Sequence, residues 1–215
     1  MKKQKFNTGD IFAIPLPTGQ YLFGRILFDV YKQCNQPGAN VPAGTYFDFF
    51  AGCFLIEVYE KLTDAPVYQP SSIVLPGVFT SPTFFKNGTW PIVAHQDVNP
   101  HEVDFPESLI SRYPGIYFNK GEINLLTKLT EADYERIKVY STLNSPYGIG
   151  AMALHHSGRR ELIEERYLYD EYLERTDLRY KSTTRDEIYN QLGEDPKQSY
   201  YQLALKHKQD LSRLY

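Results

Sequence analysis

Apolar residues in the first part of the chain alternate with a period of two and are punctuated by glycine and proline. Beyond Thr130 the spacing lengthens to that of helices. Residues 10–16 and 20–30 are rich in β-branched and aromatic side chains and flank Pro17-Thr18-Gly19. There Pro fixes φ and Gly admits φ > 0, so the pattern predicts a β-hairpin. Pro15 has no N–H for a ladder, so that side of it is expected to face solvent or a bulge. Residues 45–59 predict a long aromatic strand region broken at Gly52, between loops at 34–44 and 61–76. A second hairpin is expected where Asn87-Gly88 separates Thr83-Phe84-Phe85 from Trp90-Pro91-Ile92-Val93, because both turn residues tolerate φ > 0. A third is expected where Asn119-Lys120-Gly121 separates Ile116-Tyr117-Phe118 from Glu122-Ile123-Asn124-Leu125-Leu126.

Thr130 with Asp133 three residues on predicts a capped helix start. Residues 147–158 carry Gly148, Gly150 and Gly158 and predict a loop, with His155-His156 exposed in it. Residues 159–175 predict a helix with Leu162, Tyr169 and Leu173 on one face. Arg160 with Glu164 and Glu171 with Arg175 would support it as i,i+4 pairs. A short helix from Thr184 to Leu192 should stop at Gly193 and Pro196. A last helix over 196–214 would align Tyr200, Ala204, His207, Leu211 and Leu214.

Charge sharpens this division. Residues 1–129 hold 10 Lys and Arg and 11 Asp and Glu, whereas the shorter 130–215 holds 13 and 15. Strands followed by helices predict an α+β fold. The expected form is an N-terminal bent antiparallel sheet or open SH3-like small barrel (1–129), with a charged C-terminal helical region (130–215) packed on it. Strands such as Tyr21-Leu22-Phe23 carry large apolar groups on both faces. Helices are expected to cover one face and leave the rest for a partner.

The longest unbroken apolar run, 49–56, is far short of the roughly 20 residues of a membrane helix, so no span is expected. Met1-Lys2-Lys3-Gln4-Lys5 leads at once into the polar Asn7-Thr8-Gly9-Asp10, so a signal peptide is not expected and a cytoplasmic location is. The net charge of −3 argues against a general nucleic-acid binder. Cys34 and Cys53 cannot make a four-ligand zinc site, and Cys53 sits in an apolar run that would leave its thiol inert. His95-Gln96-Asp97 and His101-Glu102-Val103-Asp104 are the densest potential metal ligands, but their spacing matches no metal motif and Pro100 breaks any helical register. Gly-x-Ser-x-Gly and a phosphate-binding Gly-rich loop are both absent. The expectation is no metal and no cofactor. Arg25 stands out as a charge within an apolar strand. It requires a partner, for which Asp10 and Asp29 are candidates, or a groove in which it would act as a recognition arginine.

Gly9-Asp10-Ile11-Phe12-Ala13-Ile14-Pro15-Leu16, followed by Gly19-Gln20-Tyr21-Leu22-Phe23-Gly24-Arg25-Ile26-Leu27, resembles the opening of the immunity protein 26 family. Asn87-Gly88-Thr89-Trp90-Pro91-Ile92-Val93 resembles that family's later Gly-x-Trp strand, and Tyr117-Phe118-Asn119-Lys120-Gly121-Glu122-Ile123 its closing hairpin. Together the likeness covers about residues 6–126. The resemblance implies an immunity protein that neutralises a cognate bacterial polymorphic toxin by binding and occlusion, without catalysis and with no catalytic residue. The toxin would be encoded by a neighbouring gene, and Asp10, Arg25 and Trp90 are the motif positions carried over. Gly-Asp-Ile before an apolar strand also resembles PemK-like endoribonuclease toxins, although the Arg-Pro pair of those enzymes occurs nowhere here. A small-barrel module binding a peptide or ligand is the third reading.

Overall fold

The computed structural model describes residues 5–35, 41, 46–140 and 143–215. The strands are β1 Asp10–Pro15, β2 Tyr21–Asp29, β3 Phe54–Tyr59, β4 Ile73–Thr80, β5 Ile92–His95, β6 Glu107–Arg112, β7 Gly115–Lys120 and β8 Ile123–Leu126. The α-helices are α1 Tyr46–Phe49, α2 Thr83–Lys86, α3 Glu131–Ile137, α4 Pro146–His156, α5 Ser182–Leu192 and α6 Tyr200–Lys206. The expected α+β class holds. The residues group into two compact units, Met1–Gln33 with Gly52–Asn99 and Leu143–Asp170, and Cys34–Ala51 with Pro100–Thr142 and Glu171–Tyr215. This grouping does not follow the change in composition at residue 130.

The first unit is built on a five-stranded antiparallel sheet in the order β4-β3-β2-β1-β5. The β1–β2 hairpin forms as its pattern predicts, with Ile11 opposite Arg25 and Pro15 opposite Tyr21. One face of the sheet is an aromatic core. Phe12 stacks on Trp90 at 5.0 Å and meets Phe85 edge-on at 4.8 Å, and Phe54 meets Phe85 at 5.2 Å. Each such fully buried ring contributes about 1.5–3 kcal/mol through area removed from water. The other face carries Ile11, Ala13, Phe23 and Tyr59, with Tyr68 packed against them.

Several local expectations give way here. Residues 83–86 are helical, and Asn87 keeps φ at −94°, so only Gly88, at +79°, enters the left-handed region. A type I′ turn needs φ > 0 at both positions, so no hairpin closes. Instead β5 pairs with β1, His95 lying opposite Asp10. The aromatic run at 45–59 divides into α1 and β3, with Gly52 at φ +77° between them. Phe47 and Phe50, three apart, are buried while Asp48 and Phe49 are exposed, which is helical spacing rather than alternation. Residues 146–156 form α4 in place of a loop, with His155 and His156 half-buried on it. Its apolar residues are buried nearly all round, and that packing outweighs the roughly 1 kcal/mol that each glycine costs a helix. Gly150 permits the close approach: a Cβ there would stand 3.0 Å from Leu16 Cδ2. The helix expected over 159–175 is replaced by 3₁₀ turns at Arg160–Leu162, Glu165–Tyr167 and Leu173–Arg175. Arg160 pairs with Asp170 at 3.5 Å and Arg166 with Glu164 at 2.9 Å, because i,i+4 pairs worth a few tenths of a kcal/mol do not hold a helix without a packed face.

The second unit holds a separate three-stranded sheet, β6-β7-β8. The predicted β7–β8 hairpin is present, with Gly121 at φ +56° and Tyr117 opposite Leu126. Tyr200 of α6 lies over this turn: a Cβ at Gly121 would stand 2.5 Å from its hydroxyl and 2.6 Å from its ring, and the hydroxyl accepts the Glu122 N–H at 3.0 Å. The strand β6 lacks alternation and was not expected. Thr130 caps α3 through a complete capping box with Asp133, as predicted. Gly193 ends α5 in the left-handed conformation, also as predicted. The last helix is shorter than expected. Ser199 caps α6, Lys208 at φ +63° interrupts the chain, and a 3₁₀ turn Leu211–Leu214 follows.

A buried ion network joins β6, β7 and α5 within this unit. Glu107, fully buried, receives Lys120 Nζ at 2.8 Å, Arg185 Nε at 2.6 Å and the Tyr189 hydroxyl at 2.8 Å. Lys120 also reaches Asp104 at 2.8 Å, and Arg179 links Asp104 at 2.9 Å to Asp177 at 2.7 Å. Burial works against ionisation of these carboxyls, yet the Lys120 and Arg179 charges hold Asp104 down at about 2, and Lys120 with Arg185 holds Glu107 below the usual range.

Candidate functional site

The motif positions Asp10, Arg25 and Trp90 all fall in the first unit, where they part company. Trp90 is 1% exposed and belongs to the aromatic core, with Phe84 at 5.4 Å and Phe85 at 5.3 Å, so it is packing rather than surface. Arg25 lies opposite Ile11 and so on the other side of the sheet from Phe12, and Asp10 is linked to it through His95 and Asp97 in a polar cluster.

Arg25 donates from Nε to Glu57 Oε1 at 2.8 Å, and both side chains are buried. The pair arises directly from register, since Arg25 of β2 lies opposite Glu57 of β3. Asp10 and Asp29 are not its partners. Asp29 accepts the Lys32 N–H at 3.1 Å, and Asp10 accepts the Asn7 N–H at 2.7 Å. The Tyr59 hydroxyl donates to the same Glu57 oxygen at 2.7 Å, and Arg25 Nη1 donates to the Asp97 carbonyl at 3.2 Å. Burial, and then the Glu57 carboxylate, raise the Tyr59 phenol well above its ordinary range, so it remains a donor.

The outer end of the cluster is His95, whose side chain is half-exposed. Its Nδ1 lies 2.8 Å from Asp10 Oδ1 and its Nε2 lies 3.1 Å from Asp97 Oδ1. A carboxylate oxygen accepts, so the protonated ring, with a donor on each nitrogen, satisfies both contacts at once. The Asp10 and Asp97 hydrogen bonds correspondingly raise its pKa.

Two motif glycines serve this arrangement. A Cβ at Gly9, which sits at φ +92°, would stand 2.7 Å from the His95 ring; a Cβ at Gly24 would stand 2.4 Å from the Phe12 ring and 2.6 Å from the Glu57 carbonyl. The Gly-Asp and Phe-Gly-Arg patterns therefore record close packing of strands and rings. Sequence reasoning missed Glu57, Tyr59 and the role of His95. The available signal was Glu57 itself, a lone carboxylate in the apolar run Phe54-Leu55-Ile56-Glu57-Val58-Tyr59 that mirrors Arg25 in its own strand.

Cys53 is buried with its thiol pushed up by desolvation, as expected, and both cysteines are free thiols. Among the described residues no helix is long and apolar enough to cross a membrane. Most of the loop expected at 34–44 lies outside the described residues.

Residues 7–111 match the family model described as Immunity protein 26. Over these residues, just under half of its length, the chain is similar to the immunity protein 26 family. The matched segment runs from the entry into β1 through most of β6, and so takes in Asp10, Arg25, Glu57, Trp90 and His95 together. It stops short of the β7–β8 hairpin, whose likeness to the family's closing hairpin lies beyond the match. No curated protein and no solved structure matches the chain.

Proposed function

We propose that this protein neutralises a cognate bacterial polymorphic toxin by binding and occluding it in the cytoplasm, with no chemistry performed on the toxin. The observation that carries this reading is the immunity protein 26 match over residues 7–111. The geometry supports it. The charged motif residues are spent on one another, Arg25 on Glu57 and Asp10 on His95, and Trp90 is spent on the core. Such residues build a rigid sheet for recognition, and interfaces of this kind draw their energy from a few aromatic and charged anchors.

Coexpression with the toxin encoded beside it tests this. The expected result is restored growth and a stoichiometric complex in which the toxin has unchanged mass and is inactive. A toxin that is chemically altered, or that is active within the complex, would overturn the reading. Cleavage of RNA by the purified chain alone would instead favour a PemK-like ribonuclease.

A further inference from the structure

Among the described residues of the first unit, grooves open at the end of β1 and beside Phe6. The one at the end of β1, about 170 Å³ between Leu16, Phe84 and Tyr147, has a rim on which Glu164 and Arg166 neutralise each other at 2.9 Å. It has no sign of charge to select a partner.

The second groove, about 320 Å³, differs. Phe6, Tyr31, Phe54 and Pro82 give it apolar walls, and the Phe6 ring is itself seated on Phe54 at 5.2 Å. Lys32 and Lys86 line it as well, and exposed Lys5 immediately precedes Phe6. The carboxylate among its lining residues, Asp29, is buried and held by Lys32 at 3.5 Å, with Lys32 Nζ also donating to the Phe6 carbonyl at 2.8 Å. The ammonium groups of Lys5 and Lys86 have no partner among the described residues, and Tyr31, which lines the groove with Lys86, is 59% exposed. A cationic rim on a chain of net charge −3 runs against the molecule's overall sign.

We infer that this groove is the toxin-docking surface, and that its occupant is an acidic segment of the toxin carrying an aromatic or large aliphatic side chain. The side chain would fill the space between Tyr31 and Phe54 while its flanking carboxylates meet Lys5 and Lys86. An apolar anchor desolvated inside a charged rim is the arrangement from which protein interfaces draw most of their energy. Complementary charge adds to the association rate. A nucleic acid would also seek lysines, but a chain of net negative charge repels a polyanion that extends beyond one groove.

The inference rests on the immunity reading, and the test separates the two. The affinity of the purified neighbouring toxin is measured for the wild type, for Lys5→Glu/Lys86→Glu, for Tyr31→Ala and for Lys61→Glu as a charge control elsewhere in the same unit. The double charge reversal is expected to weaken binding by about tenfold or more, with wild-type affinity falling between about 50 and 300 mM salt. Tyr31→Ala is expected to weaken it by a similar factor at both salt concentrations, and Lys61→Glu to leave it within about twofold. Circular dichroism and the unfolding midpoint report whether each variant is folded; all four positions are exposed. Binding of the double variant as tight as wild type overturns the groove assignment and leaves the immunity reading standing. Failure of the wild type to bind the toxin overturns the immunity reading itself. Binding of a single-stranded oligonucleotide that is abolished by the double reversal overturns the choice of a protein partner.

Discussion

His95 shows how much a single side chain can hold in place. Its two ring nitrogens tie Asp10, at the start of β1, to Asp97, whose carbonyl in turn receives Arg25. The bridge exists only while the ring carries two protons. Hydrogen bonds donated to Asp10 and then to Asp97 raise the folded pKa above the ordinary 6.5. A raised pKa contributes stability that is fully present below the unfolded value and is lost as pH rises through the folded value. The wild type should therefore exceed His95→Gln in denaturant midpoint near pH 5.5, and the gap should narrow by pH 9. A gap independent of pH would show that His95 acts by packing alone, and an NMR titration of the ring should place its pKa above that of a free histidine.

At the level of elements, the β6–β7–β8 sheet of the second unit is joined to α5 by charge buried beside the apolar core. Glu107 is fully enclosed, and Lys120, Arg185 and Tyr189 all converge on it. Removing one partner of such a group leaves the others desolvated and uncompensated. Glu107→Gln is expected to cost about 3–5 kcal/mol in urea unfolding, whereas Asp133→Asn at the exposed α3 cap should cost about 1 kcal/mol or less. The carboxyl pKa values here are depressed, so their contribution is present above the unfolded value near 3.8 and is lost as pH falls toward the folded value of about 2 for Asp104. Equal costs for the two variants would refute a special role for the buried network.

For the whole molecule, the interleaving of the chain through two units governs truncation. Cutting after residue 129 removes α4 from the first unit and α3, α5 and α6 from the second. The first loses the helix that meets Leu16 and Ile14 through Gly150, and the second loses the rings of Tyr189 and Tyr200 from its core. Each would expose apolar surface beyond the few hundred Å² a monomer tolerates. The fragment 1–129 is expected to aggregate, as measured by light scattering and sedimentation. A soluble, cooperatively unfolding monomer would show that the later helices serve recognition rather than cover.

The sequence alone determined the features that depend on near neighbours. The β1–β2 and β7–β8 hairpins, the Thr130 cap and the Gly193 stop each follow from a few adjacent residues with definite φ preferences. The family pattern was legible for the same reason, because Gly9 and Gly24 mark places where a side chain would clash and Trp90 is a large ring buried in the core. Tertiary structure decided the rest. Gly148 and Gly150 argue locally for a loop, yet α4 forms because burial of its apolar residues outweighs their propensity. The charges at 159–175 argue for a helix, yet no packed face holds one. The partner of Arg25 could not be read along the chain, because Glu57 reaches it only through the β2–β3 register, and contacts between strands distant in sequence are fixed by how the whole sheet assembles.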